Sequence, residues 1–159
     1  EYVNKDLQLY QKDMEVREDA GTPPILQFIR ASLAYQLRNE IGFDFIKDRK
    51  NELKDYFINE LKAIPNCQIY GNQDSQNIGI VSFNIKGLNP YDLCNKLSTQ
   101  DNLQTRAGCS CAGPYGHDLL GIEKLDINNR PGWVRISIHF SQTKEEIKNL
   151  IESIKKIAV

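Results

Sequence analysis

The run Trp133-Val134-Arg135-Ile136-Ser137-Ile138-His139-Phe140 alternates strictly. Val134, Ile136, Ile138 and Phe140 fall on one side, and Trp133, Arg135, Ser137 and His139 on the other. Successive side chains of a strand point to opposite faces, so this is a half-buried antiparallel strand with one face on a core and a polar face that includes Arg135. Immediately after it, Thr143-Lys144-Glu145-Glu146 is a capping box that opens a final helix. That helix carries Ile147, Leu150, Ile151, Ile154 and Ile157 on one stripe. A strand with one wet face followed by an amphipathic helix sets the theme for the rest of the chain.

Two helices precede it. Ile25, Ile29, Leu33, Leu37 and Ile41 recur every fourth position and end at Gly42, which predicts a helix with glycine just past its C-terminus. Thr22, ahead of Pro23 and Pro24, reads as the N-cap of that helix. A second helix runs through Ile46, Leu53, Phe57, Leu61 and Ile64 and stops at Pro65. Its charged side, from Lys47 to Asp55, reads as solvated surface. Cys67-Gln68-Ile69-Tyr70 is a short strand, residues 71–77 a polar turn, and residues 78–85 a strand rich in β-branched side chains. Asn89-Pro90 predicts an N-cap and first helical turn, with the helix over 91–98. Residues 103–106 read as a strand delivering Arg106 to a loop, and Asn128-Asn129-Arg130-Pro131-Gly132 as the turn before the strand at 133–140. Helices and antiparallel strands around one small core make an α+β domain, a small antiparallel sheet packed with helices.

The 159 residues suffice for one domain with a real core. Twenty basic and 21 acidic side chains leave a net charge of -1, which argues against nucleic acid and anionic membrane as partners. No apolar run approaches a membrane span and no signal-peptide pattern is present. The four cysteines (Cys67, Cys94, Cys109, Cys111) are irregularly spaced, unlike a disulfide framework, so a reducing cytoplasm is expected. The sole methionine is Met14 and residues 1–23 are polar and charged, from which the chain is expected to be part of a longer protein, with 1–23 a linker and 24–159 the domain.

The chemistry concentrates in Arg106-Ala107-Gly108-Cys109-Ser110-Cys111-Ala112-Gly113-Pro114-Tyr115-Gly116-His117. Its glycines and proline mark a turn-rich loop, where reactive groups often sit. Arg106 and Arg135 offer planar forks for carboxylate or phosphate; either could equally serve as a surface partner of an acidic residue. In an extended loop Cys109 and Cys111 would point the same way. They read as metal ligands with His117, as a reactive thiol favoured by the nearby arginine, or as structural thiols. Cys67 and Cys94 read as packed core thiols.

Three segments together resemble the class V aminotransferases, the fold-type I pyridoxal-phosphate enzymes that include cysteine desulfurases and selenocysteine lyases. They are Glu18-Asp19-Ala20-Gly21-Thr22-Pro23, the loop Arg106-Ala107-Gly108 through Cys111-Ala112 to Pro114, and Trp133-Val134-Arg135-Ile136-Ser137 before the capped last helix. The resemblance covers nearly the whole chain and matches that family's C-terminal small domain. It implies a pyridoxal 5'-phosphate cofactor and an amino-acid substrate. Arg106 is implied to hold the substrate α-carboxylate, with Arg135 near the same pocket. Cys111 is implied to be the nucleophile that takes sulfur from cysteine as a persulfide, releasing alanine. Thr22 is implied to reach the cofactor phosphate of the neighbouring subunit of a homodimer. The chain's own large domain and a sulfur-acceptor protein are the further partners implied. The family's Schiff-base lysine has no match here and is expected in that large domain, so the 159 residues alone are expected to be inactive. Cys109-Ser110, where one desulfurase branch has histidines, and the stretch 115–121 depart from the best-known desulfurases. That leaves an aminotransferase or epimerase with a structural Cys111, or a non-enzymatic metal module built on Cys109, Cys111 and His117, as alternatives.

Overall fold

The structure is a computed structural model that describes every residue except 1, 20, 74, 76, 125, 127, 128 and 159. Parts of the 18–23 segment (Ala20), the 71–77 turn (residues 74 and 76) and the turn before the 133–140 strand (Asn128) thus lie outside the described residues. The chain divides into two compact units, residues 1–43 and 44–159.

In the first unit, β1 (Tyr2–Val3) and β2 (Gln8–Leu9) pair antiparallel, Tyr2 opposite Leu9. Helix α1 (Met14–Glu18) follows, capped by Asp13, whose carboxylate accepts from Val16 N at 3.0 Å. Helix α2 (Ile25–Ile41) has the expected bounds and ends at Gly42 with φ 91°. Thr22 does not cap it. Pro24 occupies the N-cap position, and backbone bonds from Ile25 N to Pro23 O and from Phe28 N to Pro24 O close the first turn. The two prolines impose the entry geometry with their fixed φ, so no side-chain cap is needed. None of the side chains of α2 is buried: Ile25, Leu26, Phe28, Ile29, Leu33 and Leu37 are all exposed.

The second unit is an α+β layer. Helix α3 (Phe43–Lys62) leads into β3 (Cys67–Tyr70) and β4 (Ile80–Ile85). Next come α4 (Pro90–Asp101), β5 (Arg106–Gly108), α5 (Gly113–Leu120), β6 (Trp133–Ser137) and α6 (Lys144–Ala158). The sheet is antiparallel throughout, in the order β3-β4-β6-β5. One face carries Ile69, Val81, Phe83, Ile85, Val134 and Ile136, which meet Leu53, Phe57 and Leu61 of α3, Leu93 and Leu97 of α4 and the Ile147–Ile154 stripe of α6 in a single core. Phe57 and Phe83 pack edge to face at 6.4 Å. Burying such side chains at about 25 cal/mol per Å² is the main term holding the layer together.

Local signals place the helices. Asn89 caps α4, its Oδ1 accepting from Tyr91 N at 2.8 Å, with Pro90 in the first turn. The capping box of α6 forms in full: Glu146 N donates to Thr143 Oγ1 at 3.1 Å, and Thr143 N donates to Glu146 Oε2 at 2.6 Å. Two further expectations are corrected. Lys54 is not on a solvated face; it is 5% exposed, and its ammonium meets Asp55 at 3.0 Å. The segment from Arg106 to His117 is not all loop, since its first three residues form β5 and Gly113-Pro114 start α5 rather than break it. Proline suits a first helical turn because its missing N–H would have no partner there.

Candidate active site

The face of the sheet away from the core is polar. Because directly paired residues share a face, register reads out a row: Tyr70 opposite Ser82, Ser82 opposite Arg135, and Arg135 opposite Arg106. The next row runs Gln68, Asn84, Trp133, Gly108. Trp133 is the exception to the polar rule on this face. It is buried, with its ring 6.2 Å from that of Tyr70 and α5 lying close against it.

Arg106 and Arg135 are therefore cross-strand neighbours on one face, at the end of a cleft of about 390 Å³ that also includes Thr105, Ser137 and Gln142. Like charges directly opposite destabilise a strand pair. Among the described residues no carboxylate pairs with either arginine. Both arginines line that cleft, and a planar guanidinium fork is chemically able to take a carboxylate bidentately. Arg106 is exposed and Arg135 half-buried. Arg135 is further braced by a bond from its Nη1 to Ser110 Oγ at 3.4 Å.

The same hydroxyl belongs to the turn that carries the thiols. Ala112 N donates to Cys109 O at 2.9 Å, closing residues 109–112, and Ser110 and Cys111 both sit in left-handed backbone at φ 51° and 65°. Non-glycine residues there cost of order 1 kcal/mol each, and such strain gathers at functional sites. This backbone also separates the two cysteines, which an extended loop would have aligned. Cys109 turns inward: its Sγ contacts Pro131 O at 3.5 Å and fills the space that Gly116 leaves open. Cys111 is exposed. Among the described residues Cys109, Cys111 and His117 form no metal-holding group, and no other three His, Cys, Asp or Glu side chains are placed to hold a metal ion. His117 is half-buried on α5, where its carbonyl accepts from Ile122 N at 2.9 Å.

The remaining cysteines behave as core thiols. Burial pushes Cys67 up to about 11 and also raises Cys94, which keeps both protonated near neutrality. Thr22 belongs to the first unit, exposed ahead of α2. Sequence reasoning passed over two residues here. Ser110 is a partner of Arg135, and Tyr91 brings its hydroxyl close to Gly108, where a Cβ would lie 3.1 Å from it. The signal for the second was the glycine itself, whose φ of 113° no other residue holds comfortably.

The sequence matches the family model described as aminotransferase class-V over residues 3–150. It is 31% identical over 144 residues to a probable cysteine desulfurase of Staphylococcus aureus (strain Mu50 / ATCC 700699), a match covering 91% of this chain and 32% of that protein. A probable cysteine desulfurase of Staphylococcus epidermidis is 28% identical over the same length. Among solved structures, the apo cysteine desulfurase from Thermococcus onnurineus NA1 aligns with a TM-score of 0.80 at 26% identity, covering 99% of this chain and 37% of that one. The fold is also that of the cysteine desulfurase CsdA from Escherichia coli, at a TM-score of 0.77 and 21% identity over 98% of this chain and 36% of that one. The chain thus spans about a third of the length of the curated relatives it matches. None of the helices, among the described residues, is long and apolar enough to cross a membrane.

Proposed function

Because the chain belongs to the class V aminotransferase family, we propose that it is the C-terminal small domain of a pyridoxal-phosphate enzyme, a cysteine desulfurase or selenocysteine lyase, that takes sulfur from cysteine and leaves alanine. The observation that carries this reading is Cys111, an exposed thiol on a strained turn whose preceding residue is bonded to Arg135. A structural cysteine would be buried, as Cys67 and Cys94 partly are. In this reading the exposed thiol, one residue along from the Ser110 partner of Arg135, meets the substrate side chain.

The residues present fit the substrate end of such a site. Arg106 and Arg135 hold the α-carboxylate between them and so orient the amino acid. Cys111 then forms an S–S bond to the substrate sulfur while the substrate C–S bond breaks with its electron pair to carbon. Protonation of that carbon gives alanine, and Cys111 is left as a persulfide. A thiol of a sulfur-acceptor protein takes the outer sulfur and returns Cys111 to its starting state. Pyridoxal phosphate supplies, when bound, the electron sink for bond breaking at the amino acid.

Among the described residues no lysine lines the arginine cleft. We assign the cofactor's lysine, and most of its phosphate contacts, to a large domain corresponding to the part of the relatives beyond this chain. Residues 1–23 are the linker to it in this reading, and the exposed apolar side chains of α2 suit a surface that such a domain covers. The exposed Thr22 hydroxyl is assigned to the cofactor phosphate of the neighbouring subunit of a homodimer. A cytoplasmic setting, where free thiols persist, goes with this chemistry.

The test is Cys111→Ala in the complete enzyme. Sulfide release from cysteine is abolished while alanine still binds. Unchanged release would retire Cys111, and a keto-acid product would move the enzyme to transamination. The 159 residues alone are expected to develop no visible absorbance band of lysine-bound cofactor on addition of pyridoxal phosphate.

A further inference from the structure

Resting on that reading and deepening it, we propose that Ser110 is a positioning residue that ties the carboxylate-binding guanidinium of Arg135 to the turn carrying Cys111. Arg135 stands between Ser82 on one neighbouring strand and Arg106 on the other. Repulsion from Arg106 favours swinging its long side chain out to water. The Nη1 bond to Ser110 Oγ at 3.4 Å opposes this, and it uses one of five N–H donors. The fork that remains still presents the paired donors a carboxylate needs.

The other end of the link is the backbone. Ser110 is the first of two consecutive left-handed residues, and Cys111 is the second. The turn is closed by Ala112 N on Cys109 O at 2.9 Å and pinned on its inner side by the Cys109 sulfur against Pro131 O. With Cys109 fixed, the orientation of the Ser110–Cys111 peptide decides where the Cys111 sulfur stands. The hydroxyl that braces the arginine is therefore attached to the peptide that aims the thiol. A carboxylate that draws Arg135 toward itself changes the pull on this turn, so an occupied carboxylate site and the position of Cys111 are coupled.

The substitutions suit the left-handed backbone. Ser110→Ala removes the hydroxyl. Ser110→Gly removes it as well and relaxes the backbone, which guards against a folding defect. Ser110→Asn keeps a side-chain oxygen and tolerates the conformation. In the complete enzyme, the affinity for L-alanine is measured by calorimetry, and the alkylation rate of Cys111 by iodoacetamide is followed with and without saturating L-alanine. In the native enzyme L-alanine binds and changes the alkylation rate. Ser110→Ala and Ser110→Gly weaken binding by about five- to tenfold, as loss of one long hydrogen bond of about 1 kcal/mol implies, and abolish the response. Ser110→Asn restores both.

Native-like affinity and response in Ser110→Ala, a response that persists when affinity falls, or Ser110→Asn behaving as Ser110→Ala would each overturn the proposal. So would L-alanine failing to bind or to alter alkylation in the native enzyme. Failure of the desulfurase reading is separate, and shows as no sulfide release from cysteine by an enzyme that still binds L-alanine through Arg135.

Discussion

Gly132→Ala is expected to open the site by prising β5 from β6. A Cβ built at Gly132 lies 2.5 Å from Gly108 Cα and 2.9 Å from that residue's N and C, whereas ordinary contact begins near 3.4 Å. The obstacle is backbone, so no side chain can rotate away and the strands must part by about an ångström. Gly132 cannot easily retreat, because its carbonyl accepts from Asn84 Nδ2 at 2.8 Å. Strand β5 has only three paired residues, with Gly108 opposite Trp133 at one end and Arg106 opposite Arg135 at the other. Overpacking of this kind costs about 1–3 kcal/mol, and a disrupted strand bond adds about 1 kcal/mol. For a chain of this size that is a fall in Tm of roughly 4–16 °C. The assay is thermal unfolding followed by circular dichroism, with L-alanine affinity in the complete enzyme as the second readout, since separation of Arg106 from Arg135 weakens carboxylate binding. Gly113→Ala is the control: its Cβ meets nothing within 4 Å, and it sits in a helix where alanine is favoured. Gly132→Ala melting within about 1 °C of the native protein would refute the close β5–β6 approach on which the arginine pair depends.

Thiol accessibility gives a second prediction: at neutral pH iodoacetamide labels the exposed Cys111 first and the half-buried Cys67 and Cys94 more slowly, as peptide mass spectrometry would show. Burial also makes Cys67 a source of alkaline instability. Its folded value is raised from 9.0 to about 11, so its contribution is intact below 9.0 and is lost as pH climbs toward 11. Replacement by serine or alanine should flatten that limb of a stability–pH curve. Glu146 acts at the opposite end. The Thr143 backbone N–H and hydroxyl hold its carboxyl below the ordinary value, so the α6 cap stabilises above that value and fails as pH falls through the lowered one; Glu146→Gln should blunt the acid dependence of unfolding. Asn89→Ala removes the α4 cap and should cost about 1 kcal/mol in a urea titration, with no change in Cys111 labelling.

Much of the second unit was legible because its signals are local. The alternation from Trp133, the Asn89-Pro90 start and the Thr143–Glu146 box each depend on neighbours within a turn or a strand, and each formed, though the strand read over 133–140 ends at Ser137 with Ile138 still buried beyond it. What escaped depends on partners far along the chain. Nothing local says that Arg106 faces Arg135, since that follows from the register of β5 on β6. The inward turn of Cys109 needs the gap at Gly116 and the carbonyl of Pro131, and Ser110 needs Arg135. Gly113-Pro114 reads equally as a breaker or a first helical turn until the following residues commit. Lys54 was misplaced because a long apolar stem allows a charged residue to sit on a buried face. The stripe on α2 was a sound guide to a helix but a poor one to a core, because its side chains stay exposed.

Where the sulfur goes decides whether Cys111 is the nucleophile. Mass spectrometry of the complete enzyme after a single turnover with cysteine and no acceptor is the direct measurement. The account predicts one added sulfur atom on the peptide containing Cys111, removable by a thiol reductant, with one alanine formed per persulfide. Alanine or keto acid formed with the Cys111 peptide unmodified would contradict it.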